Sequence, residues 1–193
     1  MDSISSALLL NVQSINPSAR SSARWKIEYL RNKMEQKCKQ ISVPFVALTE
    51  TWLKPYVHDS QLDIEHYNIS RCDRDTRVGG GVLLYTHESI PITGLETYDD
   101  QICQALVCKC ETVQMIVAVI YRPPDTPLTS FKACLQFIGD YISGHESYET
   151  CFLGDFNLPL IDWNSSVIMP GAVDHQTPLS QQLFFLTSCQ ITS

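Results

Sequence analysis

The stretch Cys151-Phe-Leu-Gly-Asp-Phe-Asn-Leu-Pro159 decides the fold that we expect of this chain. The stretch overlaps a short, mostly apolar run from Glu149 to Leu153, which polar residues precede. This pattern predicts a buried β-strand. Gly154 permits a tight backbone turn, and the following proline blocks a simple continuation of the strand. We therefore expect the strand to end at Leu153 and a rigid turn to follow.

Asp155 and Asn157 lie on this predicted turn, just beyond the carboxyl end of the strand. Residues two apart in an extended segment point the same way, so a carboxylate and an amide could face one ligand. Strand ends are frequent sites of catalytic groups, because the strand fixes the residue and the loop exposes it. A carboxylate can act as a base or metal ligand, and a neutral amide can orient a phosphate or a water.

Further motifs precede this turn in a fixed order. They are Leu-Asn-Val-Gln-Ser at 10–14, Ala-Leu-Thr-Glu-Thr-Trp at 47–52, Gly-Gly-Gly-Val at 79–82 and Tyr-Arg-Pro-Pro at 121–124. Together with Gly-Asp-Phe-Asn at 154–157, they resemble the endonuclease/exonuclease/phosphatase superfamily, which includes deoxyribonuclease I, the apurinic/apyrimidinic endonucleases and the inositol phosphatases. The chain looks most like the endonuclease domain of a LINE-type (non-LTR) retrotransposon, from about Leu8 to Ser193.

The resemblance implies an α+β fold, a two-sheet β-sandwich flanked by helices in four layers (α/β/β/α), as in deoxyribonuclease I. The residues themselves favour the same architecture, because many predicted strands alternate with few helices. We expect residues 1–193 to form one domain. The predicted strands are Ala7–Ser14, Val43–Thr49, Tyr67–Cys72, Val82–Tyr85, Ile102–Cys110, Met115–Tyr121 and Glu149–Leu153, and the predicted helices are Ala23–Lys39, Leu128–Ile142 and Leu179–Thr187, with a loop over Leu158–Thr177.

Charge is distributed unevenly along the chain. The net charge of −7 argues against a general nucleic-acid binder. Residues 1–77, however, hold eleven of the fourteen Lys and Arg but only nine of the twenty-one Asp and Glu. A surface that faces phosphates would therefore draw mainly on this first part. For Arg31, Lys33 and Lys37 we prefer an ordinary solvated helix face.

The eight cysteines form no Cys-x-x-Cys pair, so a zinc site is not expected. No apolar run approaches the roughly 20 residues that cross a bilayer, and Leu8–Leu10 is too short for a signal-peptide core. We expect an intracellular protein with reduced thiols, nuclear if it acts on chromosomal DNA. Its oligomeric state is left open.

Candidate catalytic and metal-binding residues follow from the resemblance. By that resemblance Glu50 binds Mg²⁺ (or Mn²⁺), and Asn11 lies beside the metal. Asp155 activates the attacking water, Asn157 holds the scissile phosphate, and the Tyr121 hydroxyl contacts the phosphate or the leaving oxygen. From the residues alone, these side chains could equally be a solvated strand-end carboxylate, turn-side amides and a core-edge aromatic.

Three further residues are candidates for substrate binding. Arg122 is a potential surface partner for a DNA phosphate or a carboxylate. Arg77 and Gly80 belong to a glycine stretch that lacks the Gly-x-Gly-x-x-Gly spacing of a nucleotide-binding loop. We interpret that stretch as a tight bend that could also form a DNA-facing rim.

The expected function is hydrolysis of a phosphodiester, a nick in one DNA strand. Family members carry a late Ser-Asp-His on a final strand, and this chain reaches Ser193 before such a strand. We interpret Val173-Asp174-His175 as a decoy, because a loop bounded by proline and glycine surrounds it. We therefore expect a C-terminally truncated domain without its last strands or a reverse transcriptase domain, and with weak activity. The alternatives are an inactive remnant that at most binds DNA, and a phosphatase that acts on a small phosphorylated ligand.

Overall fold

Met115–Tyr121 is a run of seven apolar residues, and it forms a strand that is buried on both faces at the centre of a sheet. The computed structural model describes residues 7–17, 21–38, 43–158, 161–162 and 167–168. Its elements in chain order are β1 (Ala7–Asn11), α1 (Ser21–Cys38), β2 (Phe45–Thr49), β3 (Tyr67–Cys72), β4 (Val82–His87), β5 (Ile92–Asp99), β6 (Gln104–Cys110), β7 (Met115–Tyr121), α2 (Leu128–Ser143), β8 (Glu149–Asp155), β9 (Ile161–Asp162) and β10 (Val167–Ile168).

The strands form two four-stranded mixed sheets and a small two-stranded ribbon, β9–β10. The first sheet has the order β1-β2-β4-β3, and β1 runs parallel to β2. The second has the order β5-β6-β7-β8, and β7 runs parallel to β8. Parallel neighbours end at the same edge of a sheet, so the carboxyl ends of β1 and β2 lie together, as do those of β7 and β8.

Three apolar layers hold the four layers of secondary structure together. Helix α1 packs Ile27, Leu30 and Met34 on the outer face of the first sheet, and α2 packs Phe131 and Ile138 on the outer face of the second. The inner faces of both sheets meet in a third layer of buried side chains. This is the predicted four-layer sandwich, and the fold class is confirmed. No helix in the described part of the chain is long and apolar enough to cross a membrane.

The structure corrects several predicted boundaries. Strand β5 was not expected, because five of its eight residues in succession are exposed and give no alternating pattern. The predicted loop 158–177 contains the two short strands β9 and β10. The predicted helix Leu179–Thr187 lies outside the described residues.

Strand β8 continues through Gly154 to Asp155, so the turn expected at Gly154 is wrong. Gly154 pairs with Ile120 of the parallel neighbour β7. A Cβ atom at Gly154 would lie 2.1 Å from the carbonyl oxygen of Ile120. Glycine is therefore needed here for the close approach of two strands, and not for a turn.

Gly154→Ala should lower the free energy of unfolding by about 3 kcal/mol, because backbone atoms of β7 must move to admit the methyl group. Gly139→Ala is the matched control, since a Cβ atom there meets no atom within 4 Å. In the interior of α2 this control should stabilise the protein by roughly 0.5–1 kcal/mol. Urea unfolding of both variants measures the difference, and equal stabilities would contradict the packing described.

Candidate active site

The two sheets are joined at one rim by a hydrogen bond between strand ends. The side-chain amide of Asn11, at the end of β1, donates from Nδ2 to Oδ2 of Asp155, at the end of β8, over 2.9 Å. The two residues are 144 positions apart in sequence. Their contact places the carboxyl ends of β1 and β8 side by side, so the ends of both sheets form one rim.

Glu50 lies at the same rim, directly after β2, and its carboxylate accepts hydrogen bonds from three donors. Oε2 accepts from Trp52 Nε1 at 2.6 Å and from the Gly80 backbone N–H at 2.9 Å. Oε1 accepts from the Tyr121 hydroxyl, at the end of β7 in the opposite sheet. Three donors fix the carboxylate and leave one lone-pair direction of Oε1 for a further partner.

The backbone around Glu50 is held in an uncommon conformation. Glu50 and Trp52 have φ of 58° and 54°, in the left-handed region that side chains other than glycine rarely adopt. The Ser14 N–H donates to the Glu50 carbonyl at 2.8 Å, and the Trp52 N–H donates to the Gly80 carbonyl at 2.9 Å. These two backbone hydrogen bonds hold the turn from both sides. Strained backbone of this kind concentrates at functional sites.

Burial, together with the hydrogen bond to Glu50 and its charge, raises the pKa of Tyr121 well above its usual range. The phenol therefore remains a protonated donor to Glu50 at physiological pH. The guanidinium of Arg74 lies over the ring, 5.6 Å from its centroid. It is a cation–π contact that favours the observed ring position.

Asn157 and Arg122 stabilise the turn after β8 through reciprocal bonds. Arg122 Nη1 donates to the carbonyls of Phe156 (3.2 Å) and Asn157 (2.9 Å), and Asn157 Nδ2 donates to the Arg122 carbonyl at 2.7 Å. Arg122 is only 4% exposed, so the expectation that it lies at the surface, as a partner for a DNA phosphate or a carboxylate, is wrong in its placement. Its guanidinium is desolvated and bound to backbone, and burial lowers its pKa.

The other two substrate-binding candidates, Gly80 and Arg77, differ in their exposure to solvent. Gly80 is buried, and its N–H is engaged by Glu50. Arg77 is exposed on the loop between β3 and β4, and its side chain has no hydrogen bond or ion pair within the described residues. Of the three candidates, Arg77 alone has an exposed side chain.

Sequence analysis did not identify Trp52, Lys54 or Gln104 as site residues. Trp52 follows Glu50 by two positions, and that adjacency was the available signal. Gln104 is polar, begins the apolar strand β6 and is fully buried, which is unusual for glutamine. Lys54 contacts backbone carbonyls twenty or more positions away, which no local pattern reveals.

None of the described histidines forms a hydrogen bond or ion pair with these side chains, and Val173-Asp174-His175 lies outside the described residues. Likewise, within residues 7–17, 21–38, 43–158 and the short strands, no group of three or more His, Cys, Asp or Glu could hold a metal ion. The described cysteines are free thiols. The rim therefore offers two carboxylates, Glu50 and Asp155, with amides and a phenol around them.

The two-sheet, four-layer sandwich is a deoxyribonuclease I-like fold. No protein-family profile matches the sequence, and no curated protein matches it. Solved structures do match. The 3′ phosphatase NExo from Neisseria, bound to product DNA hairpin, is 16% identical with a TM-score of 0.61, over 93% of this chain and 70% of that one.

Two further solved structures have the same fold. AP endonuclease LMAP from Leishmania major is 13% identical with a TM-score of 0.59, over 97% of this chain and 70% of that one. A humanized D. rerio TDP2 is 15% identical with a TM-score of 0.57, over 86% of this chain and 67% of that one. At these identities the similarity shows the fold alone.

Glu50→Gln should lower the pKa of Tyr121, because the negative charge of Glu50 helps to raise it. A ¹³C NMR titration of labelled tyrosines measures this, with Tyr121→Phe to assign the signal. Glu111→Gln is the control. The Tyr148 hydroxyl donates to Glu111 at the opposite rim, and that bond raises the pKa of Tyr148. The control should shift Tyr148 and leave Tyr121 unchanged, and an unchanged Tyr121 in Glu50→Gln would contradict the contact described.

Proposed function

We propose that this chain is a divalent-metal-dependent phosphodiesterase that nicks DNA, in the manner of a LINE-type endonuclease domain. The observation that carries the proposal is the pair of contacts between the sheets, Glu50–Tyr121 and Asn11–Asp155. They gather two carboxylates, an amide and a phenol at one open rim, the groups that phosphoryl transfer requires. The shared fold with a 3′ phosphatase bound to DNA and an AP endonuclease supports the same reaction class.

The donor set at the rim fits a hard divalent cation. Mg²⁺ is usually bound through one or two carboxylates, with water and substrate phosphate as the other ligands. Glu50 Oε1 has capacity for one more partner, and Asp155 Oδ1 accepts no hydrogen bond from the described residues. Glu50 Oε1 would hold Mg²⁺ or Mn²⁺, with the Asn11 amide beside it, and Asp155 Oδ1 would stay available as a base. When bound, the ion would polarise a phosphoryl oxygen and offset developing charge.

The protein's own residues would then prepare the attack. Asp155 accepts a proton from the attacking water, while Asn11 holds its other oxygen and so fixes the carboxylate plane. One of the two amide hydrogens of Asn157 bonds the Arg122 carbonyl. The second hydrogen can therefore bind a phosphate oxygen. Tyr121 stays protonated and donates to Glu50 or to a phosphate oxygen.

DNA is the substrate that we infer. The Thr-Glu-Thr-Trp and Tyr-Arg-Pro-Pro motifs favour the retrotransposon branch over the phosphatases, and exposed Arg77 offers a contact for backbone phosphate. Action on chromosomal DNA would place the protein in the nucleus. Since no described histidine hydrogen-bonds to the rim carboxylates, we expect slow nicking.

Nicking of supercoiled plasmid with Mg²⁺ tests the reaction. We expect slow conversion to the open circle, removed by EDTA and reduced about 100-fold or more by Asp155→Asn, which eliminates the base. Asp140→Asn is the matched control, because Asp140 is exposed on α2 and bonds only Gln136 and Ser143 nearby. Release of phosphate from a small phosphorylated ligand without nicking would favour the phosphatase alternative, and equal nicking by Asp155→Asn would contradict the proposed site.

Metal binding can be measured apart from catalysis. Water-proton relaxation with Mn²⁺ should show weak binding, since two carboxylates cannot enclose the ion. Glu50→Gln keeps the shape of the side chain but removes its charge, so it should weaken Mn²⁺ binding further. Glu35→Gln, an exposed change on α1, should leave Mn²⁺ binding unaltered. Equal affinity of wild type and Glu50→Gln would exclude Glu50 as the ligand.

A further inference from the structure

The glycine loop, Gly79–Gly81, provides a donor that Glu50 needs, yet it is built from the most flexible residue type. All three glycines have positive φ, at 86°, 72° and 86°. Glycine carries the largest conformational entropy, so three in succession hold one shape only if neighbours restrain them. The Gly80 N–H nevertheless reaches Glu50 Oε2 at 2.9 Å. Something outside the loop must therefore fix it.

Lys54 restrains the loop from the side of the first sheet. Its Nζ donates to the carbonyls of Arg74 (2.6 Å), Asp75 (2.7 Å) and Arg77 (2.8 Å), the residues that lead into the glycine loop. An ammonium has three hydrogens, so all of its donors are engaged by one segment of backbone. Arg71 Nη2 also donates to the Lys54 carbonyl at 3.1 Å, which ties the lysine backbone to the end of β3.

Gln104 restrains the loop from the second sheet. Its side chain is fully buried, its Oε1 accepts from the Gly81 N–H at 3.2 Å, and its Nε2 donates to Asp99 Oδ1 at 2.8 Å. The bond to Asp99 orients the amide so that the oxygen faces the loop. A Cβ atom at Gly80 would lie 2.6 Å from Gln104 Oε1, so the loop packs closely against this side chain.

We propose that Lys54 and Gln104 are positioning residues that hold the Gly80 N–H on Glu50, and so set the orientation of the carboxylate that would bind the metal. The inference rests on the proposed metal role of Glu50. The Lys54 ammonium supplies the three hydrogen-bond donors that these backbone carbonyls would otherwise take from water. Glu50 thereby keeps Oε2 occupied by the loop and Trp52, and presents Oε1 at the rim.

The first experiment compares Lys54→Met with Lys109→Met, a lysine at the opposite rim that pairs with Glu111. Hydrogen exchange of the Gly80 amide, followed by NMR, reports the loop directly. Lys54→Met should accelerate this exchange and weaken Mn²⁺ binding about 10-fold, because loss of a residue that orients a metal ligand typically weakens affinity about 10- to 100-fold. Lys109→Met should change neither quantity.

The second experiment separates positioning from general stability. Lys54→Ala removes the chain beyond Cβ, and propylammonium supplies the missing atoms. Added propylammonium should restore slow exchange of Gly80 and Mn²⁺ affinity, whereas trimethylpropylammonium, of equal charge but without N–H donors, should not. Unchanged Gly80 exchange in Lys54→Ala, or equal effects of both ions, would overturn the proposal.

If the Lys54 variants do not fold, Gln104→Leu breaks the restraint from the other sheet and has the same two readouts. Slow Gly80 exchange and full Mn²⁺ affinity in this variant would overturn the proposal. The two proposals fail in different ways. If wild type binds no Mn²⁺ at all, the metal role of Glu50 is wrong, while the exchange of Gly80 still decides whether Lys54 and Gln104 hold the loop.

Discussion

The hydrogen bond from Tyr121 to Glu50 is the contact on which the site depends, because it joins the two sheets where their strands end. Glu50 receives its other donors from its own turn and from the glycine loop, so this carboxylate is the meeting point of three separate segments. A charged acceptor strengthens each of these bonds. The same carboxylate therefore helps to hold the rim together, and Oε1 keeps one lone-pair direction that no described residue occupies.

The fold was predictable where burial leaves a clear pattern in the sequence. Strands β3 and β7 have the predicted bounds. Strand β7 is the clearest case, because it is buried on both faces and its composition is continuously apolar. Strand β5 was missed because an exposed edge strand has no such pattern. Gly154 was misinterpreted for a related reason. The sequence shows the freedom of a glycine, but it does not show the Ile120 carbonyl that makes a side chain impossible there.

The convergence of the candidate residues was predictable where a polar side chain follows a recognisable strand. Asn11, Glu50, Tyr121 and Asp155 each lie at a strand end, and parallel pairing within each sheet brings such ends together. Arg122 was placed wrongly because arginine is ordinarily exposed, whereas here its donors satisfy two carbonyls of the turn after β8. Lys54 Nζ and Gln104 Oε1 bond to backbone groups of a distant loop, and side-chain identity carries no record of such contacts.

Electrostatics explains why this rim would need a cation before it could bind nucleic acid. The chain has a net charge of −7, and two carboxylates, Glu50 and Asp155, lie at the rim where we propose that phosphate binds. The negative charges of the carboxylates and of a phosphate repel each other, and low-dielectric surroundings strengthen this repulsion. Lys54 Nζ, Arg74 Nη2 and Arg122 Nη1 donate to backbone carbonyls, so these donors are not available to bind a phosphate directly. A divalent ion bound at Glu50 would offset this negative charge, so metal binding and DNA binding at this rim should be coupled.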